Sequence, residues 1–189
     1  MAKLLNINKG NRFLSLVSMS SKARGLHDYV VNELGAEHSQ IDTEFAQGDV
    51  TTTMIKCARG ETVLLTHDCS LPRPYSRAQR VQGTKGIWME DKNALHFGDF
   101  AGERWAPMAE YLESHDHPVW NDFINDGVRG GHGGMDYLVQ RSFIEAIKAN
   151  RQTPIDVYDS VAWMAITALS EDSIACGSAP VPFPDFTNG

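Results

Sequence analysis

The chain has 189 residues, of which 42% are hydrophobic and 22% are charged. This composition suits one compact domain with a sizeable core, or at most two small ones. The net charge of −7 at pH 7 provides no overall positive field, so neither nucleic acid nor an anionic membrane is an expected partner. The three cysteines form no C-x-x-C pair, which argues against a disulfide framework and against a thiolate zinc site.

The first half of the chain is predicted to be rich in strands. The segment RFLSLVSMSS alternates apolar residues with serines and predicts a strand. The following KARGLHDYVVNEL has helical periodicity, with Ser20 or Ser21 as the expected N-cap and Gly35 as the stop. Two β-rich runs then flank Arg59-Gly60, which is a hairpin signature. Two more short strands are predicted in RAQRVQGTKGIWMED and NALHFGDF.

Helices dominate the second half. Residues 101–134 are predicted to form mainly loops, with a short helix around Ala106 to Leu112. The last helix begins after Pro154 with Asp156 as N-cap, and its apolar circumference predicts extensive burial. The tail GSAPVPFPDFTNG contains three prolines and is expected to run extended along the surface or a sheet edge. Between these segments, a helix presents an apolar face formed by Met135, Leu138, Val139, Phe143 and Ile147.

This arrangement of elements predicts an α+β fold. Strands joined by hairpins favour a largely antiparallel sheet, and the helices are expected to pack on one of its faces. The other face is then open, as in other antiparallel sheets. An open face must meet solvent, a substrate or another protein.

The most distinctive loop is LLTHDCSLPRPYSRAQRVQGTKG, from Leu64 to Gly86, between two predicted strands. Its prolines fix φ near about −65° and stiffen the loop. A stiff loop can present Tyr75, Arg73 and Arg77 with little entropy left to lose on binding. A tyrosine ring can stack on a sugar, and arginine can donate to hydroxyl groups. Composition alone leaves an equal alternative, in which Tyr75 fills the edge of the core and the arginines pair with surplus acids.

Histidines mark further candidate positions. His132 lies among four glycines ahead of a predicted helix, where the backbone can approach a ligand closely; a flexible hinge is the alternative. His67 stands beside Asp68, whose carboxylate can tune an imidazole for proton transfer, although a buried structural pair gives the same pattern. His115 and His117 have no further ligands at matching spacing, so no metal site is expected.

Several segments together resemble one family. They are THDCSLPRPYSR, VQGTKG, GHGGMDYLV, TPIDVYDSVAWMAIT with the following LSEDSI, and PVPFPDFTNG. These segments resemble the C-terminal half of glycoside hydrolase family 109, the NAD-dependent α-N-acetylgalactosaminidases of the glucose–fructose oxidoreductase/inositol dehydrogenase superfamily. The opening LLNINKGNRFLSLVSMSS resembles the same proteins just past their nucleotide-binding domain. The resemblance covers nearly the whole chain.

The resemblance implies that residues 1–189 form a single C-terminal substrate-binding and assembly domain of the oxidoreductase type. In the family, an N-terminal Rossmann domain binds NAD. No segment of this chain resembles that domain. Family members transiently oxidise the sugar at C3, after which elimination of the aglycone, addition of water and re-reduction follow. The chain alone is therefore expected to bind no cofactor and to be inactive.

The resemblance also ranks the candidate site residues. Tyr75 matches the family tyrosine that contacts substrate from this domain. Arg73, Arg77, His67 and His132 lie in the shared motif segments and are weaker substrate-binding candidates. The resemblance assigns no catalytic residue to this chain, because most acid and base groups of the family lie in the missing half.

Two alternatives remain open at this stage. The parent protein could be an NAD(P)-dependent sugar oxidoreductase of the same superfamily, since the family grades into plain oxidoreductases. The domain could instead be a non-catalytic module whose open sheet face packs against a copy of itself. No window approaches 18 consecutive apolar residues, and the apolar core of the first residues is too short for a signal peptide, so neither a membrane span nor a signal is expected here. The localisation of a longer parent protein stays open.

Overall fold

The computed structural model describes residues 1–98, 102, 104–125, 127 and 130–187. The chain divides into two compact units. The first comprises Met1–Pro72 and Ala149–Gly189, and the second comprises Arg73–Lys148. Each unit contains one four-stranded sheet. The predicted α+β fold with antiparallel strands is confirmed, although two sheets take the place of one.

The sheet of the first unit has the strand order β3-β2-β1-β8, and every neighbouring pair is antiparallel. Its strands are β1 (Phe13–Ser20), β2 (Val50–Cys57), β3 (Thr62–Asp68) and β8 (Val181–Pro182). Gly60 has a φ of 96° in the predicted hairpin between β2 and β3, a conformation that favours glycine. The proline-rich tail supplies β8 at the sheet edge, as predicted.

Helix α5 (Val157–Ala175) covers one face of this sheet. Its N-cap is Asp156, as predicted, and the helix begins with a capping box in which Asp156 and Asp159 bond reciprocally. The prediction that α5 is largely buried was wrong, because the sheet covers only one side of it. Val157, Tyr158, Val161 and Met164 are exposed. The buried core consists of Ile7, Phe13, Leu16, Ile55, Cys57, Ala162 and Phe183.

Helix α1 begins later than predicted, and no serine caps it. The helix spans Gly25–Tyr29 and continues as a π-helical turn over Val30–Leu34, ending at Gly35 as predicted. Its first free N–H groups, those of Arg24 and Gly25, both donate to the Asp49 carboxylate over 2.9 Å. An acidic residue distant in sequence therefore replaces the predicted local cap.

The sheet of the second unit has the order β4-β5-β6-β7, also antiparallel throughout. Its strands are β4 (Arg80–Gly83), β5 (Gly86–Met89), β6 (Ala94–Phe97) and β7 (Ala106–Pro107). The two predicted segments thus give three of these strands, because the first segment folds back on itself as the β4–β5 hairpin. Strand β7 occupies the first two residues of the short helix that was predicted around Ala106 to Leu112.

The helices of the second unit follow β7. They are α2 (Ala109–His115), α3 (Pro118–Asn125) and α4 (Met135–Lys148), with a 3₁₀ turn at His132–Gly134. The helix predicted near Ala106 to Leu112 begins three residues later than expected. In α4 the predicted apolar residues largely face solvent, and Ala146 is its buried residue. Within the part of the chain that is described, no helix is long and apolar enough to cross a membrane.

Candidate functional site

The loop that follows β3 presents one tyrosine to solvent. Tyr75 is 84% exposed. This removes the alternative in which its ring fills the edge of the core. Exposed aromatic side chains of this size are characteristic of binding surfaces, because their burial on binding is strongly favourable.

Hydrogen bonds to a neighbouring turn fix the loop around Tyr75. The Ser76 hydroxyl donates to the Asp91 carboxylate and accepts from the Ala78 N–H over 2.7 Å. The Gln79 N–H donates to Glu90 Oε2 over 3.0 Å, and the Glu90 N–H donates to the Gln79 carbonyl over 2.9 Å. Asp91 and Glu90 belong to the turn between β5 and β6. The loop is thus held at several points directly after its exposed tyrosine.

The two nearby arginines have different surroundings. Arg77 Nε donates to the Tyr75 hydroxyl oxygen over 3.1 Å. This hydrogen bond raises the pKa of the Arg77 guanidinium, which is cationic near neutral pH in any case. Because the Tyr75 oxygen accepts from Arg77, its O–H remains available to donate to a ligand. Arg73 folds back on the loop, where Nη1 donates to the Ser76 carbonyl over 2.9 Å and to the Pro74 carbonyl over 3.3 Å.

His67 lies near the end of β3, in the first unit, and is exposed. Its Nε2 lies 3.4 Å from the Cys69 sulfur. Since successive residues of a strand point to opposite faces, His67 and Asp68 are directed to different sides of the sheet. This geometry does not support the predicted tuning of His67 by its neighbour.

His132 bonds to the first turn of α4. Its Nδ1 lies 2.8 Å from Asp136 Oδ2, and both side chains are largely exposed. It is a local contact between two side chains and not a capping hydrogen bond to a backbone N–H group. Gly134 is needed for packing, because a Cβ at this position would lie 2.1 Å from Cε1 of Phe123.

The histidines of the ESHDHP segment bond locally. The His115 Nδ1 lies 2.7 Å from the Ser114 hydroxyl, and the His117 Nδ1 accepts from the Val119 N–H over 3.2 Å. Across the described residues, no group of three or more His, Cys, Asp or Glu side chains is placed to hold a metal ion.

Sequence reasoning missed the residues that support the loop. Glu90 and Asp91 are recognisable as turn residues after a strand, because acidic residues favour turns. Nothing in their local sequence indicates that they bond to a loop more than ten positions earlier.

Asp49 is a second residue that sequence reasoning missed, again because its partners are distant in sequence. Its carboxylate accepts from Ser70 over 3.1 Å as well as from the start of α1, and so ties two loops together.

Comparison with known sequences identifies one family, whose model matches the whole chain. The model described as "Glycosyl hydrolase 109, C-terminal domain" matches residues 1–189. An "Alpha-N-acetylgalactosaminidase" from Tannerella forsythia is 50% identical over 189 residues, which are all of this chain and 40% of that protein. "Glycosyl hydrolase family 109" proteins of Stenotrophomonas maltophilia and Parabacteroides distasonis are 46% and 45% identical, again over all of this chain. The chain spans about two fifths of the length of these curated relatives.

Comparison with solved structures gives the fold. An "oxidoreductase domain protein" from Kribbella flavida superimposes with a TM-score of 0.60, covering 97% of this chain and 49% of that one. A "putative oxidoreductase" from Thermotoga maritima superimposes with a TM-score of 0.50, covering 94% and 43%. Both are 16% identical to this chain. The α+β arrangement is therefore that of domains found in oxidoreductase proteins.

Proposed function

The chain belongs to the glycosyl hydrolase 109 family, whose C-terminal domain it matches over its full length, and from this premise we propose that it is the substrate-binding and assembly part of an NAD-dependent glycosidase. The proposed substrates are α-N-acetylgalactosaminides. A relative that is 50% identical is named for this activity. The observation that carries the proposal is the exposed Tyr75 on a loop fixed by hydrogen bonds.

Tyr75 has the properties of a sugar contact. Its ring can cover the C–H face of a pyranose, and the hydroxyl can donate to a sugar oxygen while it accepts from Arg77. The fixed loop lowers the entropy lost on binding. Arg77 acts through Tyr75 by orienting its hydroxyl. Arg73 stabilises the conformation of the loop through its hydrogen bonds to loop carbonyls. His67 and His132 are weaker candidates for contact with substrate.

The described residues do not fit an NAD site. Neighbouring strands of both sheets are antiparallel, whereas dinucleotide sites of the Rossmann type require parallel strands with a glycine-rich turn between strand and helix. The NAD of the proposed enzyme would therefore be bound by residues outside this chain. The contribution proposed for this chain is to hold and orient the sugar.

The proposal is tested by replacing Tyr75 in the natural protein at its full length. Tyr75→Ala removes both ring and hydroxyl, and it is expected to lower kcat/KM for aglycone release about 10- to 100-fold. Tyr75→Phe keeps the ring and is expected to cost about 2- to 10-fold. Tyr158→Ala, at an exposed tyrosine on α5, is the matched control and should leave kcat/KM unchanged. Unchanged kinetics in Tyr75→Ala would refute a substrate role for the loop.

An assembly role is proposed for the open face of the first sheet. Val17, Met54 and Leu64 lie directly opposite one another on β1, β2 and β3. Met54 is 51% exposed, Leu64 is 65% exposed, and Met19 further along β1 is 67% exposed. Helix α5 covers the opposite face. A second copy of the chain can pack its own apolar row against this one, because a two-fold interface joins the same surface patch of both subunits.

A further inference from the structure

A cleft of about 360 Å³ in the second unit is lined by residues of β6, β7 and α2. Phe97, Trp105 and Tyr111 line it together with Arg104 and Glu110. Phe97 is 58% exposed, and its ring meets that of Tyr111 edge to face with centroids 5.2 Å apart. The volume is at the lower end of the range of about 300–1,000 Å³ for pockets that hold small ligands. The cleft therefore suits one small ring-containing molecule.

The aromatic wall is fixed by contacts outside the cleft. The Lys92 ammonium lies 4.8 Å from the centroid of the Trp105 ring, in a cation–π contact. The Met108 N–H donates to the Asn93 carbonyl over 2.9 Å, and β7 pairs with β6. The segment that carries Trp105 and Tyr111 is thus held on the β5–β6 turn. A preformed wall loses little entropy when a ligand binds.

The polar groups that line the cleft include both hydrogen-bond donors and hydrogen-bond acceptors. His96 Nδ1 lies 2.7 Å from the Arg104 carbonyl oxygen. Since a carbonyl oxygen can only accept, His96 Nδ1–H is the donor in this contact. Among the described lining residues, Arg104 supplies guanidinium donors and Glu110 supplies carboxylate acceptors, which is one charge of each sign. A neutral ligand rich in hydroxyl groups matches this lining better than an anion or a purely apolar molecule.

We propose that this cleft is a second carbohydrate subsite, which binds one neutral pyranose ring. The aromatic side chains contact the C–H face of the ring, and Arg104 and Glu110 bond to its hydroxyls. The same turn supports both sugar sites, because Asp91 bonds to Ser76 in the tyrosine loop and Lys92 covers Trp105. The subsite is defined by its own lining and does not depend on Tyr75 or on the reaction catalysed by the natural protein.

Fluorine NMR of the natural protein labelled with 5-fluorotryptophan tests the subsite directly. The Trp105 resonance is assigned by its loss in Trp105→Phe. Titration with methyl α-D-galactopyranoside is expected to shift this resonance in a saturable way, and adenosine is expected to leave it unchanged. Arg104→Ala, at an exposed side chain, is expected to weaken the apparent affinity about threefold or more while the fold is kept.

Two background variants separate this proposal from the proposed function. Tyr75→Ala should leave the sugar-dependent shift of Trp105 intact, and Tyr158→Ala should do the same. Absence of any shift with the galactoside, or a shift with adenosine alone, would overturn the subsite. Loss of the shift in Tyr75→Ala would also overturn it as an independent site. Failure of the protein to release an aglycone, with the Trp105 shift intact, would count against the proposed function only.

Discussion

Arg77 gives the exposed tyrosine of the loop a fixed hydroxyl direction. Its Nε–H donates to the Tyr75 oxygen, and the guanidinium stays charged. A phenol that accepts from a cation is polarised, so its own O–H becomes a better donor to a sugar oxygen. The two side chains are therefore expected to act as one unit.

A double-mutant cycle tests this coupling. Arg77→Gln is expected to raise KM for a sugar substrate about threefold or more, with a smaller change in kcat, because the Tyr75 hydroxyl loses its orienting donor. In the Tyr75→Phe background the same substitution should have almost no effect, since no hydroxyl is left to orient. Fully additive effects on kcat/KM would contradict a role for Arg77 through Tyr75.

Two buried carboxylates predict acid sensitivity of the first unit. Burial alone raises the pKa of Asp49, but hydrogen bonds from Gly25, Arg24 and Ser70 outweigh it and lower the pKa below its ordinary value. Burial likewise raises the pKa of Asp159, but the bond from Lys3 and the Asp156 N–H lower it overall. Both carboxylates therefore stabilise the fold at pH values above the unfolded pKa of about 3.9.

The stability should fall as the pH drops from about 4 through the lowered folded pKa values, because protonation then removes these bonds. Thermal unfolding followed between about pH 7 and pH 3 measures the loss. In Asp49→Asn the decrease in Tm over this acid range should be smaller than in the natural protein. An equal decrease in both proteins would show that Asp49 does not contribute to it.

At the residue scale, the sequence allowed Tyr75 to be selected but not its supports. The tyrosine lies between recognisable prolines and arginines, which are local signals. Its supporting partners, Glu90 and Asp91, are brought to the loop by the β4–β5 hairpin and become neighbours only after folding. Long-range partners of this kind leave no pattern in a single sequence.

At the scale of elements, the start of α5 is fixed by a complete capping box. Asp156 Oδ1 accepts from the Asp159 N–H over 2.8 Å, and Asp159 Oδ2 accepts from the Asp156 N–H over 3.3 Å. Asp156→Ala removes the cap and is expected to lower the free energy of unfolding by about 1 kcal/mol. Asp156→Ser, which keeps an accepting oxygen, should recover much of that loss in urea unfolding. Equal stability of the alanine and serine variants would contradict the capping account.

The turn before α4 tests a different kind of constraint. Gly134 has a φ of 96°, and a Cβ there would clash with the Phe123 ring, whereas Gly133 has a φ of 66° and open space around it. Gly133→Ala is expected to cost about 1 kcal/mol from backbone strain. Gly134→Ala should cost about 1–3 kcal/mol more, since overpacking adds to strain. Urea unfolding of the two variants measures the difference, and equal costs would refute the close packing of Gly134 on Phe123.

Element types and some helix ends could be predicted from local rules, while the start of α1 and the burial of α5 could not. The strands β1 to β3, the hairpin at Gly60 and the cap at Asp156 follow local rules. The start of α1 departs from the prediction because Asp49, about 25 positions away, satisfies its N–H groups. Burial of α5 was overestimated because an apolar helix surface does not reveal how many neighbours cover it.

At the scale of the whole molecule, the open sheet face predicts self-association. Met54→Glu would place a charge in the centre of the apolar row formed with Val17 and Leu64. If this face joins two copies, Met54→Glu should shift the natural protein to a smaller species in sedimentation velocity experiments. Met164→Glu, at an exposed methionine on α5, is the matched control and should leave the assembly unchanged. A natural protein that sediments as a monomer at high concentration would refute the interface.

The central proposal is that this chain belongs to an NAD-dependent glycosidase that acts on α-N-acetylgalactosaminides. Its most direct test is to incubate the natural protein and NAD with p-nitrophenyl α-N-acetylgalactosaminide, and to follow nitrophenol and NADH together. Release of nitrophenol without net accumulation of NADH is the predicted result, because a glycosidase that re-reduces its substrate returns the hydride. No release at any pH with NAD bound, or accumulation of NADH with free sugars, would contradict the claim and indicate an oxidoreductase instead.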